Sequence, residues 1–158
     1  YPAKAANSLY NEFIYEKTYF QADMATLICA HESWKLKLNT ATSFEMVEQI
    51  YAEARKAALE AQALNPEDGM TYFVLAQCYG AQASGANFTS QAMYWVAYDT
   101  MEKAAQLLEE ADLKETATKM MAAFRSAWPS KEECFFNEVQ AGQRYVVNGI
   151  ATTVRCIR

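Results

Sequence analysis

One histidine, His31, stands among the 158 residues, so no site with two imidazole ligands can form within a single chain. His31-Glu32 has the look of a zinc-protease opening, but Lys35 occupies the place the second histidine would need. We read His31 as a partly exposed side chain near a helix C-terminus, where a positive charge suits the helix dipole. A cysteine nucleophile would have to pair with that histidine, and Cys29, two residues away on the same helix, points elsewhere. The four cysteines Cys29, Cys78, Cys134 and Cys156 are far apart and form no CxxC pair, which argues against a structural zinc site. Basic clusters are missing too. No run of Lys or Arg reaches five residues and the net charge is −5, so nucleic acid is not the expected partner. Gly80 and Gly85 lack the Lys-Ser or Lys-Thr that would complete a phosphate loop. No apolar stretch approaches the ~18 residues of a membrane span. Glu109-Glu110-Asp112 and Glu132-Glu133 pair carboxylates on paper, yet at helix ends such groups serve as caps and solvated charges. The reading is therefore of a non-enzyme, with no catalytic residue, no metal and no cofactor.

What is present is an ordered, single-domain composition: 52% hydrophobic and 21% charged residues. A chain of this length can bury roughly two-thirds of its unfolded surface. It opens with Tyr-Pro-Ala rather than Met, and we read it as a fragment or mature portion of something longer. Cys29 and Cys78 sit in apolar helical surroundings as small buried residues. For Cys134 and Cys156, both near the C-terminus, a disulfide and two separate thiols remain the alternatives, because spacing does not fix the geometry.

Along the chain, Pro2 suits a first helical position, and a helix with Leu9 and Phe13 on one face is expected to about Tyr15. A second runs from about Ala22 to Trp34, and Lys35 to Ala41 is a polar connector. Thr42 with Glu45 reads as a capping box opening a helix to Leu64, with Ala54, Ala58 and Ala61 as its small residues. Pro66 and Gly69 break the chain, and an apolar helix follows at once to about Tyr79. Gly80 to Ser90 is Gly, Ala and Ser-rich and reads as an inserted loop. The helix resumes near Gln91, with Ala97, Met101 and Ala104 on one face. Asp112 with Glu115 is read as a cap opening a helix to Trp128 that Pro129 ends. Ser130 with Glu133 caps a short helix through about Val139, stopped by Gly142. Beyond it the period changes to two, and Asn148-Gly149 between β-branched runs predicts a hairpin with a type I′ turn. Its Tyr145, Val147, Ile150 and Val154 face is expected to pack on the helix ending at Trp128 and on Phe135 or Phe136.

The spacing Tyr72, Leu75-Ala76, Tyr79, followed by Ala97 and Ala104, resembles the 34-residue helix-turn-helix tetratricopeptide repeat. The pattern covers roughly Ala3 to Glu110 and is sharpest from Tyr72 to Ala104. Tyr10 departs from it, since a small residue normally stands there, and so does the helix before Leu64, whose first half lacks the aromatic pattern. The resemblance implies a mainly α protein, a tetratricopeptide-like α-solenoid of about three helical pairs with a short C-terminal β-hairpin. Residues 1–110 would form the repeats, 111–141 the C-terminal helices and 142–158 a hairpin cap, in one domain. The chain is similar to the tetratricopeptide-containing proteins of Bacteroidetes-type bacteria, which implies export to the periplasm or outer membrane.

Such repeats bind a protein or peptide partner in a groove. The clamp of Lys, Arg and Asn residues that grips acidic tails is met at Asn11 only: Asn7 stands where a Lys is usual, and Met70 and Val74 where basic residues are wanted. The groove this register implies presents Lys4, Asn7, Asn11, Met70, Phe73 and Gln77, a mixed, rather apolar strip suited to an extended or helical peptide. The alternative from another class is a small-molecule or glycan-binding component of an uptake system, using the Gly80 to Ser90 loop and the Tyr94-Trp95 region. At helical spacing, however, Tyr94, Trp95 and Tyr98 read first as core.

Overall fold

Small residues decide how closely the helices of this chain approach one another, as the computed structural model of residues 44–157 shows. Five helices are present among the described residues: α1 (Phe44–Leu64), α2 (Gly69–Gln82), α3 (Phe88–Leu107), α4 (Ala111–Ser126) and α5 (Lys131–Phe136). They are followed by an antiparallel hairpin of β1 (Arg144–Val147) and β2 (Ile150–Thr153). The chain is thus mainly helical with a short two-stranded tail. The expected helices of the first unit, between Ala3 and Trp34, and the Thr42 cap lie outside the described residues.

In α1, Ile50, Ala54, Ala57, Ala58 and Ala61 are buried, a stripe at helical spacing that turns one face toward α2. The chain then turns through Pro66, whose carbonyl accepts from the Tyr72 hydroxyl at 2.8 Å. Asp68 caps α2, its carboxylate accepting from Met70 N at 3.0 Å. Gly69 is required here by close approach, because a Cβ would lie 2.6 Å from the Leu108 backbone nitrogen at the end of α3. Nine of the fourteen residues of α2 are buried, so this helix is enclosed rather than amphipathic. It packs on α1 and α3, and the Phe124 ring of α4 lies over its Gly80.

Ala76 on α2 and Ala92, Ala97 and Ala104 on α3 have no exposed surface, and α2 and α3 make the most extensive helix pair. A branched side chain at Ala76 would have to displace packed atoms. Ala76→Leu is expected to destabilise by about 1–3 kcal/mol, read from urea unfolding. A variant as stable as the parent would remove Ala76 from the seam.

Several sequence expectations need correction. The connection between α2 and α3 is Ala83–Asn87, five residues, and not an insertion spanning Gly80 to Ser90. Ala81 and Gln82 are good helix formers that carry α2 onward. Asn87, accepting from Ser90 N at 2.8 Å, starts α3 before Gln91. Asp112 is not a cap. The helix begins one residue earlier at Ala111, with Asp112 as first-turn acid, and Glu115 pairs instead with Lys119 at 3.0 Å on the surface. The Ser130–Glu133 capping box is present in both directions, at 3.1 and 3.3 Å.

The hairpin forms as expected. Val147 pairs with Ile150 across Asn148 (φ 50°) and Gly149 (φ 78°), the two left-handed residues of a type I′ turn. Its seat differs from the expectation. Val147 and Val154 are buried with Tyr145 and Ile150 half-buried beside them, and both strands contact α3. Phe135 and Phe136 take no part and stand in solvent.

Candidate functional site

The strip expected to line a groove does not lie open. Met70 and Phe73 are 5% and 3% exposed, which makes both of them packing residues of the enclosed α2. Gln77 is half-buried, its Nε2 donating to the Phe73 carbonyl one turn back at 3.2 Å. Lys4, Asn7 and Asn11 lie outside the described residues. Of the aromatic cluster, Trp95 has no exposed surface, and its ring meets Phe88 and Tyr145 edge-on at 5.8 and 5.6 Å. Tyr94 lies half-buried against Phe124, and Tyr98 packs on Trp128 at 4.9 Å. The core reading of these rings holds, and a sugar or base could not stack on Trp95 in this arrangement.

Titratable chemistry in the described residues is correspondingly quiet. Burial pushes the Cys78 thiol up to about 12, too high for a nucleophile at neutral pH. No group of three or more His, Cys, Asp or Glu that could hold a metal ion occurs among the described residues, and no helix there is long and apolar enough to cross a membrane. Desolvation raises the Asp68 carboxyl above its ordinary value, with the Met70 amide opposing. A raised acid binds its proton more tightly folded than unfolded, so this group adds stability as pH falls through the raised value. Asp68→Asn keeps the cap acceptor and removes the titration. Relative to the parent, that variant is expected to be most favoured at neutral pH, with its advantage shrinking on acidification. An unchanged difference between pH 7 and pH 4 in thermal melts would show that Asp68 is not desolvated.

The C-terminal corner is where this sequence places unusual groups together. Asp99 on α3 accepts from the Thr152 hydroxyl at 2.7 Å and forms an ion pair with Arg155. The Arg155 guanidinium lies beside the edge-on pair of Tyr98 and Trp128, 5.5 Å from the Tyr98 ring centre and 5.3 Å from that of Trp128. Its Nη1 is buried without a hydrogen-bond acceptor, so the aromatic faces serve in place of one. Trp95 Nε1 donates to the Arg155 carbonyl at 2.8 Å. These contacts fix the strand that leaves the hairpin. Ile157 N then donates to the Pro129 carbonyl at 2.9 Å, and Cys156 is joined to Cys134 of α5 by a disulfide.

Held in this way, α5 ends in a turn with a distinct geometry. Val139 N donates to the Cys134 carbonyl and Glu138 N to that of Phe135, the two bonds of a Schellman motif. Glu138 occupies its left-handed position with φ 58°, where glycine is the usual residue. This is why the helix stops at Phe136, short of the expected end near Val139, and why Glu138 and not Gly142 takes the left-handed position that ends it. With Cys134 turned inward, Phe135 and Phe136 are 78% and 77% exposed, their rings edge to face at 6.0 Å. They border a shallow cleft of about 540 Å³, completed by Glu138, Val139 and Gln140. Sequence reasoning assigned this Phe pair to the hairpin core and so missed it as a surface.

Comparison of the chain with protein-family models, with curated proteins and with solved structures returned no match.

Proposed function

We propose that the chain is a non-catalytic interaction module of the tetratricopeptide type, binding a protein or peptide partner and not nucleic acid. The observation that carries this reading is the packing of α2 on α3 through alanines with no exposed surface, at the spacing of the repeat. The order of contacts supports it. Each of α1 to α4 packs on its chain neighbour, as in a stack of helical pairs. On this reading the hairpin, seated on α3, is the cap that covers the last pair. The array is a short α-solenoid whose ligand is held by surface contacts alone. The Cys134–Cys156 disulfide favours an oxidising compartment, in line with export to the periplasm or outer membrane.

The test uses the oxidised 158-residue chain as bait for random 15-residue peptides displayed on phage. Enrichment of a consensus with apolar anchors, whose synthetic peptide binds saturably at one site, is the expected result. Failure to enrich any saturable binder would overturn the reading.

A further inference from the structure

We propose that the cleft edge formed by Phe135, Phe136 and Val139 is a docking site for an apolar segment of a protein partner flanked by Lys or Arg. The proposal rests on the interaction-module reading and names its contact surface and the chemistry of its ligand. Two phenyl rings more than three-quarters exposed add almost nothing to folding, yet they form one continuous apolar edge. The cleft they border, about 540 Å³, is of a size that takes one or two large side chains.

Strain marks the same place. Glu138 holds a left-handed backbone that disfavours any residue with a Cβ, and glycine there would be more stable. What a glutamate supplies at that position, and a glycine would not, is a carboxylate at the rim of the cleft. Glu132 lies one helical turn from Phe135 and Phe136 and is exposed with them. Between Lys131 and Gln140 there are three glutamates and one lysine, so the edge is acidic on balance. The complementary ligand is apolar at its centre and cationic at its flanks. An anionic membrane surface has the wrong sign. The capping box, the Schellman turn and the disulfide fix the edge in advance, which lowers the ordering cost of binding.

The experiment takes the peptides enriched on the full oxidised chain, synthesised with a fluorophore, and measures their affinity by anisotropy. The expected consensus carries Leu, Phe or Met between Lys or Arg residues. Phe135→Ser/Phe136→Ser is expected to leave the melting temperature unchanged and to weaken binding by about tenfold or more. Glu138→Gly is expected to raise the melting temperature while weakening the same peptide a few-fold and flattening its salt dependence, an opposition that a purely structural residue would not produce. Enriched peptides without cationic flanks, or affinity that survives the double serine variant, would overturn the docking site while leaving the module reading intact. Two further results would also overturn it: partition of the chain onto phosphatidylcholine vesicles, or its dimerisation in sedimentation, each abolished by the double variant.

Discussion

Trp95→Ala is expected to destabilise the chain by about 3–5 kcal/mol, the range for emptying a fully buried aromatic site. Trp95 has no exposed surface and is the hub of an aromatic cluster, with Phe88 on its own helix and Tyr145 on β1. Truncation removes those ring contacts and the donor to the Arg155 carbonyl at the same time. Since β1 and β2 meet the helices chiefly through α3, the loss falls on the joint between the helical body and the hairpin. Trp95→Phe separates the two contributions. It keeps most of the ring volume and leaves the carbonyl without its partner, which is expected to cost about 1–3 kcal/mol. Urea unfolding followed by near-ultraviolet circular dichroism measures both. A loss below about 1 kcal/mol for the alanine variant would mean that the hairpin does not depend on α3.

The parts of this architecture that local chemistry controls were readable from the residues. Ser130 with Glu133, and Asn148-Gly149 between β-branched runs, each specify a bond or a dihedral within four residues, and both occur as expected. Composition proved a weaker guide at Gly80 to Ser90, where glycine and serine suggested a loop although Ala81-Gln82 and the Asn87 cap favour helix on either side. The groove strip failed at Met70 and Phe73 for a different reason. A repeat template assigns one face of α2 to the ligand, but the apolar residues run round the whole helix and leave it no face to spare. Where the hairpin sits depends on contacts such as Trp95 to Arg155 and Asp99 to Arg155, some sixty residues apart, which periodicity does not record. The exposed phenylalanines did leave a signal. Residues on a helix step by about 100°, so with Cys134 facing inward neither Phe135 nor Phe136 can face the same way. Reading that signal required knowing that Cys134 was paired.

Removing that pairing is the second large perturbation. Cys134→Ser/Cys156→Ser, or reduction of the parent, is expected to lower stability by about 3 kcal/mol and the melting temperature by on the order of 10 °C. The magnitude follows from the 22-residue separation of the two cysteines, because opening that loop returns conformational freedom to the unfolded chain. Native backbone contacts are then left to hold the corner. Lys131 N to the Ile157 carbonyl and Ile157 N to the Pro129 carbonyl hold the chain end parallel to the start of α5, and with the cross-link gone they must carry that joint unaided. Cys78 does not compete for either partner. It is 1% exposed and its thiol is pushed up to about 12, and exchange requires a reachable thiolate. Reoxidation of the reduced chain under native conditions is therefore expected to restore the Cys134–Cys156 link without a Cys78 mixed disulfide, as peptide mapping under non-reducing conditions would record. Equal melting of the oxidised and reduced chains would show that the α5 corner is fixed by Arg155, Asp99 and the rings of Tyr98 and Trp128 instead. In that case the Phe135–Phe136 edge would keep its geometry in a reducing compartment as well.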